Sequence, residues 1–486
     1  MTSKEEGSLV SMLVVYLPNE LLRSVIKLAH NEVYAAADQY GHGVHPMPVE
    51  VAASLVCRRW RDTALSYPEL WSIYHCIRPL PQRLGYERDR LQEYLKRSVN
   101  TDLELCFRFG AIGPSSSVLA KGELLASTLE HASRWRRLVL TSEGEDDALI
   151  SFHRPLKKLS VPKLQYLDVR TSRFHDHDDL GWDSEPDWNP KLFFAEVCPS
   201  IEFLRLDVSA AMAQYRPRFE NLVHFCFQPG PDIGPPNPVL IPSCFISVIQ
   251  LPSIETISLW GNIYWAFQPK HIPALEAKQL RHFRVGGTTV WGIFTLLFLI
   301  HQVTAPLLES ITIQGCDFSD QEFGFANLDP SHSEYTFPSF RSLYLIKIKL
   351  FTSLEQNDPD LFFNQLLGQL ATRTRRAKNL TLSFGMERSL LAGLEAGTLQ
   401  LCPEVEELTW NSPPSGFPLE VNDLKNRWPK LTRIRVPPHL PIASDAEDIE
   451  VNELRVVGHE SWPPGYGWAS SCREDDPFFS SVMVAL

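Results

Sequence analysis

The chain has 486 residues, with 46 Lys and Arg against 58 Asp and Glu, a formal net charge of −12, and 44% hydrophobic residues. That composition excludes a mostly disordered chain, because there is ample apolar material for a large core. The negative charge repels phosphate backbones and excludes nucleic acid as the main partner.

The first 16 residues read as a tail. Lys4, Glu5 and Glu6 precede a short apolar stretch from Leu9 to Val15, without the basic start and cleavage site of a secretory signal. Residues 17–75 read as a helical module. Pro18 opens a stretch in which Leu22, Val25, Ile26 and Ala29 share one helix face. A second helical pattern runs from Val51 through Val56 and Trp60 to Leu65, and the chain then turns at Ser66-Tyr67-Pro68 to present Leu70 and Trp71. Between the two patterns, Gln39 to Pro48 is rich in Gly and Pro and reads as a loop. A helical unit this short has a small core, so part of its apolar surface is expected to face a partner.

Residues 76–134 read as a helical linker and first cap. From there to residue 436 a pattern recurs, built from Pro, one residue, an apolar residue and an alternating strand. Clear copies begin at Pro162, Pro199, Pro252, Pro306, Pro338, Pro403 and Pro429, with weaker ones at Leu138, Phe225, Phe283 and Leu380. The spacing of about 30 residues is that of a leucine-rich solenoid, each unit one short strand plus one helix. The segment from Leu361 to Leu370 carries such a helical spacing. Alternate strand residues face away from the helices. Asp168, Arg205, Cys226, Ser258, Trp260, Arg284, Thr312, Gln314, Tyr344, Thr381, Thr409, Asn411 and Arg435 fall in that class and carry no stripe of one charge. This mixture points to a protein client. Trp260, Tyr264, Trp265, Arg284 and Tyr344 are the candidate anchors, since aromatic and arginine side chains dominate interfaces. Residues 437–486 read as a C-terminal cap and tail.

The nine cysteines are scattered without a C-x-x-C pair, which fits a reducing compartment, cytoplasmic or nuclear. The longest apolar run, Trp291 to Ile300, falls well short of the ~20 residues needed to cross a bilayer, so no membrane role is expected. No nucleophile elbow, phosphate loop, dinucleotide fingerprint or zincin helix occurs, and no cofactor is expected. The acidic and histidine cluster His175 to Asp179, and the acidic group Glu143 to Asp147, sit in polar stretches between strands and read as solvated.

Three pieces in order resemble the F-box motif, in the form seen in large families of fungal F-box proteins: Leu17-Pro18-Asn19-Glu20-Leu21-Leu22, Val56-Cys57-Arg58-Arg59-Trp60-Arg61-Asp62-Thr63-Ala64, and Pro68-Glu69-Leu70-Trp71. The region behind them is similar to the irregular leucine-rich repeats that follow F-boxes. The resemblance implies an α/β chain with an N-terminal all-helical F-box module, followed by a leucine-rich-repeat-like α/β solenoid. It implies docking to a Skp-type adaptor and, through it, to a cullin scaffold carrying the ubiquitin-transfer machinery. Carried over by position, Leu17, Pro18, Leu21, Leu22, Ile26, Val56, Cys57, Trp60, Leu70 and Trp71 are the adaptor-binding residues. The expected role is a non-catalytic substrate-recognition subunit of an SCF-type ubiquitin ligase. The alternative is an F-box and repeat scaffold that acts outside a cullin complex.

Overall fold

The computed structural model describes residues 17–37, 47–110, 116–142, 159–170, 200–207, 221–228, 239–240, 242–263, 275–287, 302–316, 337–346, 370, 372–383, 402–411, 419–436, 442–443 and 448–453. The chain starts with three helices, α1 (Asn19–Ala37), α2 (Val49–Val56) and α3 (Arg58–Leu65), and a 3-10 turn over Pro68–Trp71. Fourteen strands follow in one sheet: β1 (Ile73–Ile77), β2 (Leu103–Phe109), β3 (Trp135–Ser142), β4 (Tyr166–Arg170), β5 (Phe203–Leu206), β6 (His224–Phe227) and β7 (Thr256–Trp260), then β8 (His282–Gly286), β9 (Ser310–Gln314), β10 (Ser342–Ile346), β11 (Asn379–Ser383), β12 (Glu407–Asn411), β13 (Arg433–Val436) and β14 (Glu450–Glu453). Their order in the sheet is their order in the chain, and every pair is parallel. The repeat advances by about 29 residues per strand. Between strands lie α4 (Leu84–Arg97), α5 (Ser116–Ala126), α6 (Pro242–Ile249) and α7 (Val421–Arg427).

The Pro that opens each copy has a definite job. In Val161-Pro162-Lys163-Leu164 the Leu164 N–H donates to the Val161 carbonyl at 3.2 Å, closing a turn with Pro at its second position. Similar bonds join Ile254 to Leu251, Leu308 to Ala305, Phe340 to Phe337, Val405 to Cys402 and Leu431 to Trp428. Proline presets the φ that this position needs. The apolar residues at the two ends of the turn then enter the core; Val161, Leu164, Phe337, Phe340, Cys402, Val405, Trp428 and Leu431 are all buried.

The sheet is longer than the expected solenoid. β1 and β2 lie inside the span expected as a linker, and β14 lies in the expected tail. β2 and β14 follow no Pro-opened turn, so the periodic signal does not mark them; β1 does follow one, with the Leu70 N–H donating to Tyr67 O at 3.1 Å, but Pro68–Trp71 reads in the sequence as the end of the helical module. β1 continues from the 3-10 turn, while β2 follows the end of α4. The helix expected over 361–370 lies outside the described residues except for Leu370, which is buried.

One continuous apolar cluster runs from Leu22 to Ile449. Two rows of strand residues build its sheet side. One passes through Leu105, Leu138, Leu167, Leu204, Phe225, Ile257, Phe283 and Ile311, and the other lies two residues further along each strand. The turn between α4 and β2 is strained. Val99 has φ +51°, a left-handed conformation that a β-branched residue rarely adopts, while Arg134 holds the turn by donating to Thr101 O at 2.9 Å and Ser98 Oγ at 2.6 Å. The Val99 side chain is 56% exposed, so it adds little packing in return. Val99→Asn is expected to raise unfolding stability by about 1 kcal/mol, read as a higher denaturant midpoint.

Candidate functional site

The helical module buries one stripe of α1 and exposes the next. Leu22, Ile26 and His30 are buried, whereas Leu21, Val25 and Leu28, spaced i, i+4, i+7, are exposed. The exposed ends of α2 and α3 add Leu55, Val56 and Leu65. Arg59 draws the α2–α3 corner to the start of α1: its guanidinium donates to the Leu17 carbonyl and to Asn19 Oδ1 at 3.0 and 3.1 Å. Across the module, Lys27 Nζ meets Glu69 Oε2 at 2.5 Å, and this hydrogen bond raises the lysine pKa and lowers that of the carboxyl.

The ten residues expected to bind an adaptor divide by burial. Leu22, Ile26, Leu70 and Trp71 are core residues that hold the module together, so they do not themselves present a face. Leu17 and Trp60 are half-buried, and Pro18, Leu21, Val56 and Cys57 are exposed. Val25, Leu28, Leu55, Leu65 and Met47 are exposed apolar residues that the sequence reading left out of the site. The spacing of Leu21, Val25 and Leu28 was the available signal, since it marks a second apolar stripe next to the buried one.

The module is joined to the first repeat by aromatic and buried polar groups. Trp71 Nε1 donates to Ala64 O at 2.9 Å, its ring meets Tyr94 edge to face at 5.2 Å, and the Arg97 guanidinium lies 4.4 Å above it. Tyr94 on α4 donates to Glu50 on α2, and His30 Nε2 on α1 lies 3.7 Å from Glu50 Oε2. A carboxylate with no exposure is tolerated only with such partners.

The second candidate surface is the sheet face turned away from the apolar cluster. Asp168, Arg205, Cys226, Ser258, Arg284, Thr312, Tyr344, Thr381, Thr409 and Arg435 form one row, paired strand to strand. From Asp168 to Thr312 the row is buried; from Tyr344 to Arg435 it is half-buried. Only the later half thus offers accessible surface. Of the expected client anchors, Arg284 is buried, Tyr344 is half-buried, and Tyr264 and Trp265 lie outside the described residues.

Trp260 is half-buried and rests on glycine. A Cβ on Gly287 would come within 2.4 Å of the Trp260 ring, and one on Gly286 within 2.6 Å. Gly261, Gly287 and Gly315 all have positive φ and end β7, β8 and β9 at the same level. Gly287→Ala is expected to cost about 2 kcal/mol or more through strain and displacement of the indole, seen as a lower Tm and altered tryptophan fluorescence.

A neighbouring row carries Arg137, Tyr166, Phe203, His224 and Thr256. Arg137 lies 4.8 Å above Tyr166, and Tyr166 stacks on Phe203 at 4.3 Å. His224 Nδ1 is 2.9 Å from Thr256 Oγ1, and burial, with a smaller contribution from His282, pushes the His224 pKa from 6.5 down to about 3. Above 6.5 the ring is neutral folded or unfolded. Below it the unfolded chain takes up a proton that the folded chain refuses, so stability falls as pH drops from 6.5 towards 3. His224→Gln is expected to remove about 2 kcal/mol of the stability lost between neutral pH and about pH 5, measured by denaturation at both values.

Among the described residues no group of three or more His, Cys, Asp or Glu stands close enough to hold a metal, and no helix is long and apolar enough to cross a membrane. His175 to Asp179 and Glu143 to Asp147 lie outside those residues. In comparison with known proteins, no family model matches the chain and no curated protein matches it.

Proposed function

We propose that the chain is the substrate-recognition subunit of an SCF-type ubiquitin ligase. In this reading the helical module docks to a Skp-type adaptor, and through it to a cullin scaffold, while the repeats bind a protein client. Catalysis then resides in the partner subunits, and the chain itself needs no cofactor. The observation that supports the docking half is the exposed apolar stripe of Leu21, Val25 and Leu28, extended by Leu55, Val56 and Leu65. Leaving six large apolar side chains in water on a small helical unit is unfavourable by about 25 cal/mol per Å2 of apolar surface, which a docking partner would recover. Client binding fits the accessible half of the inner row best, at Tyr344, Thr381, Thr409 and Arg435, with Trp260 beside the buried half. The same surfaces also serve a scaffold that binds the adaptor but acts outside a cullin complex.

The test is a pull-down of the purified chain with a Skp-type adaptor. Leu21→Asp and Val25→Asp change exposed positions, so the fold is expected to persist while adaptor binding falls at least about tenfold. Tyr344→Ala should leave adaptor binding unchanged. A folded wild-type chain that does not bind the adaptor would sink the docking reading. Adaptor binding without recruitment of a cullin would favour the scaffold.

A further inference from the structure

Strands β10 to β14 leave their inner face accessible. Two rows of register partners cross it. One is Ser342, Asn379, Glu407, Arg433 and Glu450, and the other, two residues further along each strand, is Tyr344, Thr381, Thr409, Arg435 and Asn452. All of them are half-buried or exposed. In the same two rows, Thr256 and Ser258 on β7 and Ser310 and Thr312 on β9 are buried.

The charges on this accessible face satisfy one another. Glu407 engages both of its oxygens, with Arg435 Nη2 at 2.9 Å from Oε1 and Arg433 Nη1 at 3.2 Å from Oε2. Arg433 Nε also donates to Glu450 Oε2 at 2.9 Å, and the other Glu450 oxygen accepts from Asn452 Nδ2 at 3.0 Å. Arg433 and Arg435 thus stand against Glu407 and Glu450, and the two rows on β10 to β14 carry no net charge. The remaining groups are hydroxyls and amides, with Asn379 Nδ2 donating to Ser342 Oγ at 3.1 Å. A charged side chain pressed against this face leaves water while each counter-charge is already engaged, which is costly. An uncharged polar side chain meets hydroxyls and amides instead. The face therefore discriminates against charge of either sign.

We infer that this face binds an extended, uncharged segment of a protein client that crosses the strands between Tyr344 and Asn452. Four strand steps of about 4.8 Å span roughly 19 Å, which an extended chain covers in about six residues. Tyr344, at one end of the row, supplies an aromatic anchor. The inference rests on the client-binding reading of the repeats and names the class of client; adaptor docking is a separate matter, tested by the pull-down.

The experiment selects a displayed library of random peptides, about twelve residues long and so twice the span, on the purified full chain. The wild type is expected to enrich peptides with an uncharged run of about six residues, whose binding changes little with salt. Thr409→Lys puts a cation in the middle of the face, and Tyr344→Ala removes the anchor. Each is expected to weaken those peptides at least about tenfold while Tm and adaptor binding stay as in the wild type. Glu407→Gln releases Arg433 and Arg435, and is expected to select acidic peptides whose binding falls steeply with salt. Charged peptides selected by the wild type and lost in Thr409→Lys overturn the inference but leave client binding by the repeats standing. Peptides that bind wild type and Thr409→Lys alike, or no selected peptide at all, overturn the inference together with client binding at this face.

Discussion

Register between adjacent parallel strands is the constraint on which the rest depends. Each strand is four to eight residues long and cannot bury its apolar side chains alone. Pairing in step places Leu138 beside Leu167, Leu204 and Phe225, and a slip of one residue would turn every such side chain to the opposite face. The recurring Pro-opened turn sets where a strand begins, and the backbone bonds that follow carry it into the sheet. Lys378 N, for example, donates to Arg341 O at 2.8 Å, and Glu406 N donates to Lys378 O at the same distance. Ion pairs such as Lys378 with Glu406 at 2.7 Å lie on exposed edges and add little by comparison.

The helical module belongs to this stack. Trp71 and Tyr94 join it to α4, and the apolar cluster that contains Leu22 and Ile26 is the one that continues along the sheet. A three-helix unit too small to be stable by itself thereby acquires a core. Its buried polar groups, Glu50, His30 and Tyr94, favour one arrangement of α1, α2 and α4, since breaking that arrangement would leave a buried carboxylate without donors. The exposed stripe of α1 is left over after this packing. That remainder, more than the motif itself, separates docking candidates from core residues.

The inner face shows the converse. Alternation along a strand tells which residues leave the apolar side, but burial there runs from complete at Ser258 to partial at Tyr344 within a single row. Buried charge at Arg137, Asp168, Arg170, Arg205, Asp207 and Arg284 concentrates on the earlier strands, where it is worth more because water is excluded. At the end of β8, Gly286 and the positive-φ Gly287 make room for Trp260.

By itself the sequence determined the local elements and their repetition. Proline at the second position of a turn, period-two strands and period-3.6 helices are set by neighbouring residues, and they marked the strands from Tyr166 to Val436 and the helices of the module. β2 and β14 escaped because they lack the Pro-opened turn, and β1 because its turn, at Pro68, reads as the end of the helical module; the sheet admits all three through pairing with a neighbour. Only the tertiary structure decided that Leu22 is core while Leu21 is exposed, and that Arg284 is buried while Tyr344 is partly open. Burial is a property of what packs against a residue from elsewhere in the chain. Local spacing can show that two side chains share a face, but not what covers it.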